Sequence, residues 1–197
     1  MAAGNSRRFG SNKLLYEWKG KKLYRYMLDA LMEAAEELPQ VRVRVVTQYE
    51  EILEEVEQPG SDEVFQPVSG NACGLTGIYS PESVHGLSCT IRKALDFEAA
   101  DPPDYFAFFT ADTPELSAAD IRDFLEEFFA SGCSVACVRC GEAYGNPAVF
   151  SWEYAPLFQT LTGDQGGKKV LNQLLDDCFF YELPEGSRRD IDTPEDL

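Results

Sequence analysis

Tyr105-Phe106-Ala107-Phe108-Phe109-Thr110 is an unbroken apolar run of strand length, with no polar side to turn to water. It predicts a parallel strand covered on both faces. Helical and strand patterns alternate around it. From Lys21 to about Leu38, the residues Leu23, Tyr26, Met27, Ala30, Leu31, Ala34 and Leu38 keep helical spacing, and Pro39 stops the pattern. Residues 41–47 alternate as a β-branched strand, and 49–57 form an acidic helix stopped by Pro59-Gly60. Residues 61–80, with Pro67, Gly70, Gly74 and Gly77, read as a loop-rich excursion with room for one short strand. Ser117 and Asp120 open a helix whose apolar stripe is Ile121, Phe124, Leu125, Phe128 and Phe129. Alternating elements of this kind predict a three-layer α/β fold with a mostly parallel sheet, in one domain over residues 1–197.

Composition narrows the function classes. A hydrophobic content of 44% argues for a globular core. No apolar run approaches the ~18 residues of a transmembrane helix, and no signal-peptide pattern is visible, so a cytoplasmic protein is expected. The net charge of −17 speaks against nucleic acid or an anionic membrane as partner. Six cysteines, at 73, 89, 133, 137, 140 and 178, suit a reducing compartment. Cys133, Cys137 and Cys140 have the C-x3-C-x2-C spacing of radical-SAM iron–sulfur enzymes. A strand over residues 134–139, however, would send Cys137 and Cys140 to opposite faces, and buried cysteine commonly acts as a small hydrophobe.

Against this acidity, seven of the seventeen basic residues lie within the first 25 positions. They are Arg7, Arg8, Lys13, Lys19, Lys21, Lys22 and Arg25, and before Asp29 only Glu17 opposes them. Gly4 and Gly10 bracket Ser6 and Arg8, and Lys13 follows. Glycine lets backbone amides approach an anion, Ser6 adds a hydroxyl, and Arg8 and Lys13 add a planar fork and a mobile point charge. The set suits a polyphosphate, although it is neither a Walker loop nor a Rossmann fingerprint. A solvated basic N-terminus is the competing reading of the same residues.

The order A-A-G-x-S-x-R-x-G-x-x-K over residues 2–13 closely resembles the signature loop of the MobA/MocA-like nucleotidyltransferases, which make the dinucleotide forms of the molybdenum cofactor. Five further stretches continue the resemblance in order. Ser80-Pro81 with Gly86 and Thr90 is similar to the family's N-P and G-x-x-x-S segment, with Ser80 in place of Asn and Thr90 in place of Ser. Ala111-Asp112-Thr113-Pro114 aligns with L-G-D-M-P, with Ala111 for Gly and Thr113 for Met. Gly145-Asn146-Pro147 resembles the G-N-P strand, and Thr162 to Lys169 resembles G-D-x-G before a helix. The ending Asp190-Ile191-Asp192-Thr193-Pro194-Glu195-Asp196-Leu197 matches D-I-D-T-P-E-D-L.

The resemblance implies a Rossmann-like nucleotidyltransferase fold in which Ala2, Ala3, Gly4, Asn5, Ser6, Arg8, Gly10, Lys13, Ser80, Gly86 and Thr90 bind the nucleotide. Arg8, Lys13 and Asp112 would be the catalytic groups. Asn146, Gly163, Asp164 and Gly166 would border the acceptor, although a plain loop-to-helix junction accounts equally for 162–169. Asp112 stands at the carboxyl end of the 105–110 strand, where open α/β sheets place ligands, and with Asp192 it would hold Mg²⁺. Asp190 is the fallback metal ligand. A plain turn before Pro114 is the competing account of Asp112. His85, the only histidine, is a candidate base without an identified orienting partner.

The implied reaction joins CTP or GTP to molybdopterin phosphate and releases pyrophosphate. Ala2-Ala3-Gly4, rather than an A-G-G version, favours CTP. A molybdoenzyme is the implied recipient of the product. A non-enzymatic molybdenum cofactor carrier, or a transferase for another phosphorylated acceptor, are the alternatives. The resemblance also implies a first strand of some five apolar residues ahead of Ala2, whereas the sequence starts at Met1. The start is therefore expected to be assigned too late, or that strand to be missing or supplied otherwise.

Overall fold

The apolar run at 105–110 becomes a strand with a full-length neighbour on one side only. The computed structural model describes residues 1–5, 9, 12–57, 74–184, 187, 191, 193 and 196. A short antiparallel hairpin, β1 (Glu17–Trp18) with β2 (Lys21–Lys22), precedes helix α1 (Leu23–Glu37). Then come β3 (Arg44–Thr47), α2 (Glu50–Glu57) and β4 (Thr76–Tyr79), which is the short strand anticipated before residue 80. Helix α3 (Leu87–Glu98) leads to β5 (Tyr105–Phe108), and α4 (Ala118–Ser131) to the hairpin of β6 (Val135–Cys140) and β7 (Ala143–Ser151). Short helices α5 (Ala155–Phe158) and α6 (Gly167–Leu171) precede β8 (Cys178–Glu182).

β3 pairs in parallel with β4, while a second sheet has the order β5-β7-β6-β8. β8 is parallel to β6, but β7 is antiparallel to both its neighbours, because it returns from β6 through a tight turn. The parallel expectation is corrected there; the three layers stand. On one face α1 and α4 pack Met27, Ala34, Phe124 and Phe128 against Ala136, Val138 and Val149. On the other, α3, α5 and α6 bring Ile91, Leu95, Phe158 and Leu171 against Val135, Cys137, Ala148 and Phe150. The alternation of β6 residues between the two cores is the two-residue period of a strand covered on both sides. It also separates the thiols: Cys137 joins the second core beside Cys178, with sulfurs 3.7 Å apart, while Cys133 and Cys140 pack on the first.

Ser117 caps α4 as expected, its side chain accepting from the Asp120 amide while Asp120 accepts from the Ser117 amide. Phe129 departs from the expected stripe. It is exposed and stacks edge-on with Tyr105.

Both deviations at β5 share a cause. Ala107 is exposed, although the run predicted cover on both faces. Among the described residues no strand occupies the interval between β3 and β5. A groove of ≈ 480 Å³ lies there, lined by Val43, Val46, Tyr105, Ala107, Phe109 and Phe129 among others. Only its end is closed. The Met1 amine donates to Phe109 O (2.6 Å), Ala111 N donates to Met1 O (3.1 Å), and Ala2 N donates to Val46 O (2.8 Å). Donating to one residue and accepting from the residue two further on is the rung of a parallel ladder. Met1 and Ala2 thus join the two sheets by a single rung.

Candidate active site

That rung fixes where the N-terminal loop begins. The loop is then held by side chains from the connection between β3 and α2. Gln48 Nε2 donates to Ala3 O (2.7 Å) and to Asn5 Oδ1 (3.1 Å), and the Tyr49 hydroxyl donates to Gly4 O (2.6 Å). Asn5 in turn donates to Val84 O (3.1 Å), tying the loop to the segment ahead of α3. Lys13 begins a 3₁₀ turn, Lys13–Leu15, capped by the Asn12 side chain. The backbone around the lysine is thereby fixed and its side chain aimed inward.

Opposite stands the end of β5. Lys13 Nζ donates to Asp112 Oδ2 and to Ile191 O, both at 2.7 Å. Ile191 N donates back to Asp112 O at 3.0 Å. Lys13 is 6% exposed, so this is a charge pair largely withdrawn from water. A cavity of ≈ 430 Å³ opens over it, walled by Ala3, Gly4, Asn5, Lys13, Asp112 and Asp164, with Ser83, Leu87 and Thr90 on a third side.

The third wall rests on buried hydroxyls. Thr90 Oγ1 donates to Ser83 Oγ (2.7 Å), which donates to Ser80 Oγ (2.8 Å), and Ser80 N donates to Thr47 O at the end of β3 (2.8 Å). Gly86 meets α3 at φ 131°, where a side chain is strained, and a Cβ there would stand 2.4 Å from the Gly163 carbonyl. Ser88 N donates to Gly163 O (3.0 Å), and Gly166 lies against Leu87. The 162–169 segment is therefore clamped onto the start of α3, which brings Asp164 to the cavity.

Of the residues anticipated for binding, Ala3, Gly4, Asn5, Lys13, Thr90, Asp112 and Asp164 converge on this cavity. Ala2 is buried in the rung, Ser80 anchors the hydroxyl chain, and Gly86, Gly163 and Gly166 make the close packing behind the wall. Asn146 lies in β7 where its pairing with β6 shifts, and is not among the cavity's described walls. Exposed His85 is also outside it. Ser6, Arg8, Gly10, Asp190 and Asp192 lie outside the described residues, although Ile191, between the two aspartates, is at the site.

The basic cluster is smaller than its sequence suggests. Lys21 and Arg25 pair with Asp29, and Lys22 with Glu55, which also accepts from the Tyr24 hydroxyl. Burial alone would raise the Glu55 carboxyl, but the bonds from Lys22 and Tyr24 prevail and hold it below the usual range. Lys19 lies over the Trp18 ring. Among the described residues, Lys13 is the member of the cluster that reaches the cavity. Gln48, Tyr49 and Ser83 went unread in sequence, since each acts through a contact made only in the folded chain.

Comparison with known proteins gives the family and the fold. Residues 1–178 match the family model described as the MobA-like NTP transferase domain. The chain belongs to that family. Such proteins are nucleotidyltransferases. Across its full length the chain is 29% identical to purine catabolism protein PucB of Bacillus subtilis, covering 91% of that protein. It is 27% identical to a probable molybdenum cofactor guanylyltransferase of Thermococcus kodakarensis, again over its full length and 90% of the relative. The crystal structure of Rv0371c from Mycobacterium tuberculosis superposes with a TM-score of 0.70 at 18% identity, over 99% of this chain and 92% of that one. That of molybdopterin-guanine dinucleotide biosynthesis protein A from Archaeoglobus fulgidus gives 0.62 at 17%, over 99% and 91%.

Proposed function

We propose that this member of the family transfers the nucleotidyl group of CTP to the phosphate of molybdopterin, releasing pyrophosphate. The observation that carries the reading is the cavity where a glycine-containing loop, a buried lysine and a strand-end carboxylate meet. Asp112 is the cavity carboxylate that would hold a divalent cation, and the Lys13 ammonium against it is the charge such a cation would replace. No cluster of three or more acidic, histidine or cysteine residues stands beside it among the described residues. Mg²⁺ is usually held by one or two carboxylates plus phosphate oxygens, so Asp112 fits that demand, and the family's ending assigns Asp192 as the second carboxylate. When bound, the ion supplies charge neutralisation at the phosphates.

The chain's own residues position the reactants. Ala3, Gly4 and Asn5 wall the cavity beside Lys13, so their amides would hold the triphosphate while the lysine neutralises it; Ser6 and Arg8 are assigned to the same task by the family loop alone. The acceptor phosphate approaches past Asp164 and attacks the α-phosphorus as pyrophosphate leaves. Positioning and charge stabilisation suffice, and no covalent protein intermediate is required. Ala3 supports CTP. It is a wall residue, and its methyl group leaves less room than glycine would for the larger purine. The relative named as a guanylyltransferase favours GTP as the second reading.

A thermal-shift panel of CTP, GTP, ATP and UTP, each with and without Mg²⁺, tests the nucleotide. A ligand at ~100 times its Kd adds about 2.7 kcal/mol. A domain of this size should then gain roughly 5–10 °C. A Mg²⁺-dependent gain confined to CTP is the expected result, followed by pyrophosphate release only when molybdopterin is added. Selectivity for GTP moves the protein to guanylyl transfer, and no gain with any nucleotide overturns the proposal.

A further inference from the structure

Asp112 faces a conflict of partners. Its Oδ2 accepts from Lys13 at 2.7 Å, and the same ammonium is bonded to Ile191 O, so the lysine is seated on the carboxylate rather than passing near it. A divalent cation on that oxygen would lie within about 4–5 Å of the ammonium, close enough for repulsion of a lysine that is itself largely withdrawn from water. Both residues line one cavity, and the Lys13 backbone is fixed by the Asn12-capped turn. A rotation of the lysine side chain could therefore carry its charge from the carboxylate to a ligand's phosphates without moving the fold.

We propose that the Lys13 ammonium is a resident counter-ion that occupies the cation's place on Asp112, and that it leaves only when a triphosphate offers it a stronger anionic partner. The inference rests on the nucleotidyl-transfer reading of the cavity. It makes binding ordered: Asp112 does not take a divalent cation from solution, but accepts one together with the nucleotide. In the resting site the ammonium compensates a partly exposed carboxylate, and the carboxylate in turn compensates a lysine withdrawn from water. In the loaded site the lysine neutralises phosphate while the cation takes over the carboxylate. A purely structural ion pair would instead persist when nucleotide binds.

Mn²⁺ alone is the probe, read by the loss of its free electron paramagnetic resonance signal. The wild-type chain is expected to bind Mn²⁺ weakly and Lys13→Met about tenfold or more tightly, because the variant leaves Asp112 open. Circular dichroism confirms that the variant is folded, and Lys13→Met/Asp112→Asn should lose the gained affinity. Equal Mn²⁺ affinity in wild type and Lys13→Met overturns the proposal. A second readout needs no variant. The ¹⁵Nζ resonance of Lys13 should stay in place when MgCl₂ is added alone, and shift when a non-hydrolysable CTP analogue follows. Movement with MgCl₂ alone overturns the ordering, and no movement with bound analogue shows a structural pair. Failure of the nucleotidyl-transfer reading looks different: no nucleotide stabilises the chain, whatever Mn²⁺ does.

Discussion

The proposed chemistry rests chiefly on Lys13 and Asp112, which are distant in sequence and 2.7 Å apart in the fold. Replacing Asp112 by Asn keeps the shape and one acceptor for Lys13, yet removes the charge that compensates it. Turnover should fall at least about tenfold, as expected when a group that stabilises developing charge is lost. Stability should fall as well, by about 1–3 kcal/mol, below the cost of a fully buried broken pair because the Asp112 side chain is 23% exposed. Steady-state kinetics beside a urea titration checks both; unchanged turnover removes Asp112 from the mechanism. Ala3→Gly is the complementary test at the nucleotide end. One methyl group in a pocket discriminates by about 10–200-fold, so kcat/KM for GTP relative to CTP should rise by at least tenfold. An unaltered ratio would mean that the base is read elsewhere.

Gly86 shows how elements meet to form a wall. α3 begins there with its backbone against Gly163, an approach that leaves no space for a side chain. Gly86→Ala must either strain φ 131° or push the 162–169 segment away. The expected cost is about 2 kcal/mol or more, with weaker nucleotide binding as the Thr90 wall shifts. Differential scanning fluorimetry with and without nucleotide separates the two effects. The elements themselves were legible: helical spacing marked α1 and α4, and Ser117 with Asp120 marked the α4 cap because the cap is local in sequence. Lys21, Lys22 and Arg25 misled because their acids, Asp29 and Glu55, lie up to 33 residues on, on other turns and elements. Gln48 and Tyr49 hold the loop through backbone carbonyls, and no side-chain pattern announces such a bond. The β7 reversal was hidden for a related reason, since 143–151 has strand character in either direction.

At the scale of the molecule the sheet is divided among the described residues, and the division reaches the site. The order β4-β3 and β5-β7-β6-β8 would be continuous if one strand lay in the groove, and Met1 with Ala2 already makes the last rung of such a strand. The Met1 amine is buried there; burial lowers its pKa to about 6 from 8.0, with Asp112 pulling the other way. A base depressed by folding binds its proton more readily in the unfolded chain between those values, so stability should rise as pH increases from about 6 to 8. The ceiling is about 2.7 kcal/mol for a two-unit shift. Two upstream fusions separate charge from strand. A Gly-Ser pentapeptide ahead of Met1 turns the amine into an amide, and should abolish the pH slope. A pentapeptide of alternating Val and Ile should do the same and also raise Tm well above the Gly-Ser fusion, because it can pair with both β3 and β5 and cover Ala107 and Phe129. Each side chain of that size that is fully buried contributes about 1.5–3 kcal/mol before entropy is subtracted. Since Ala3, Gly4 and Asn5 follow the rung directly, the Val-Ile fusion should also tighten nucleotide binding. If both fusions melt together, the groove takes no added strand, and among the described residues the rung at Met1 and Ala2 remains the backbone link between the halves of the sheet.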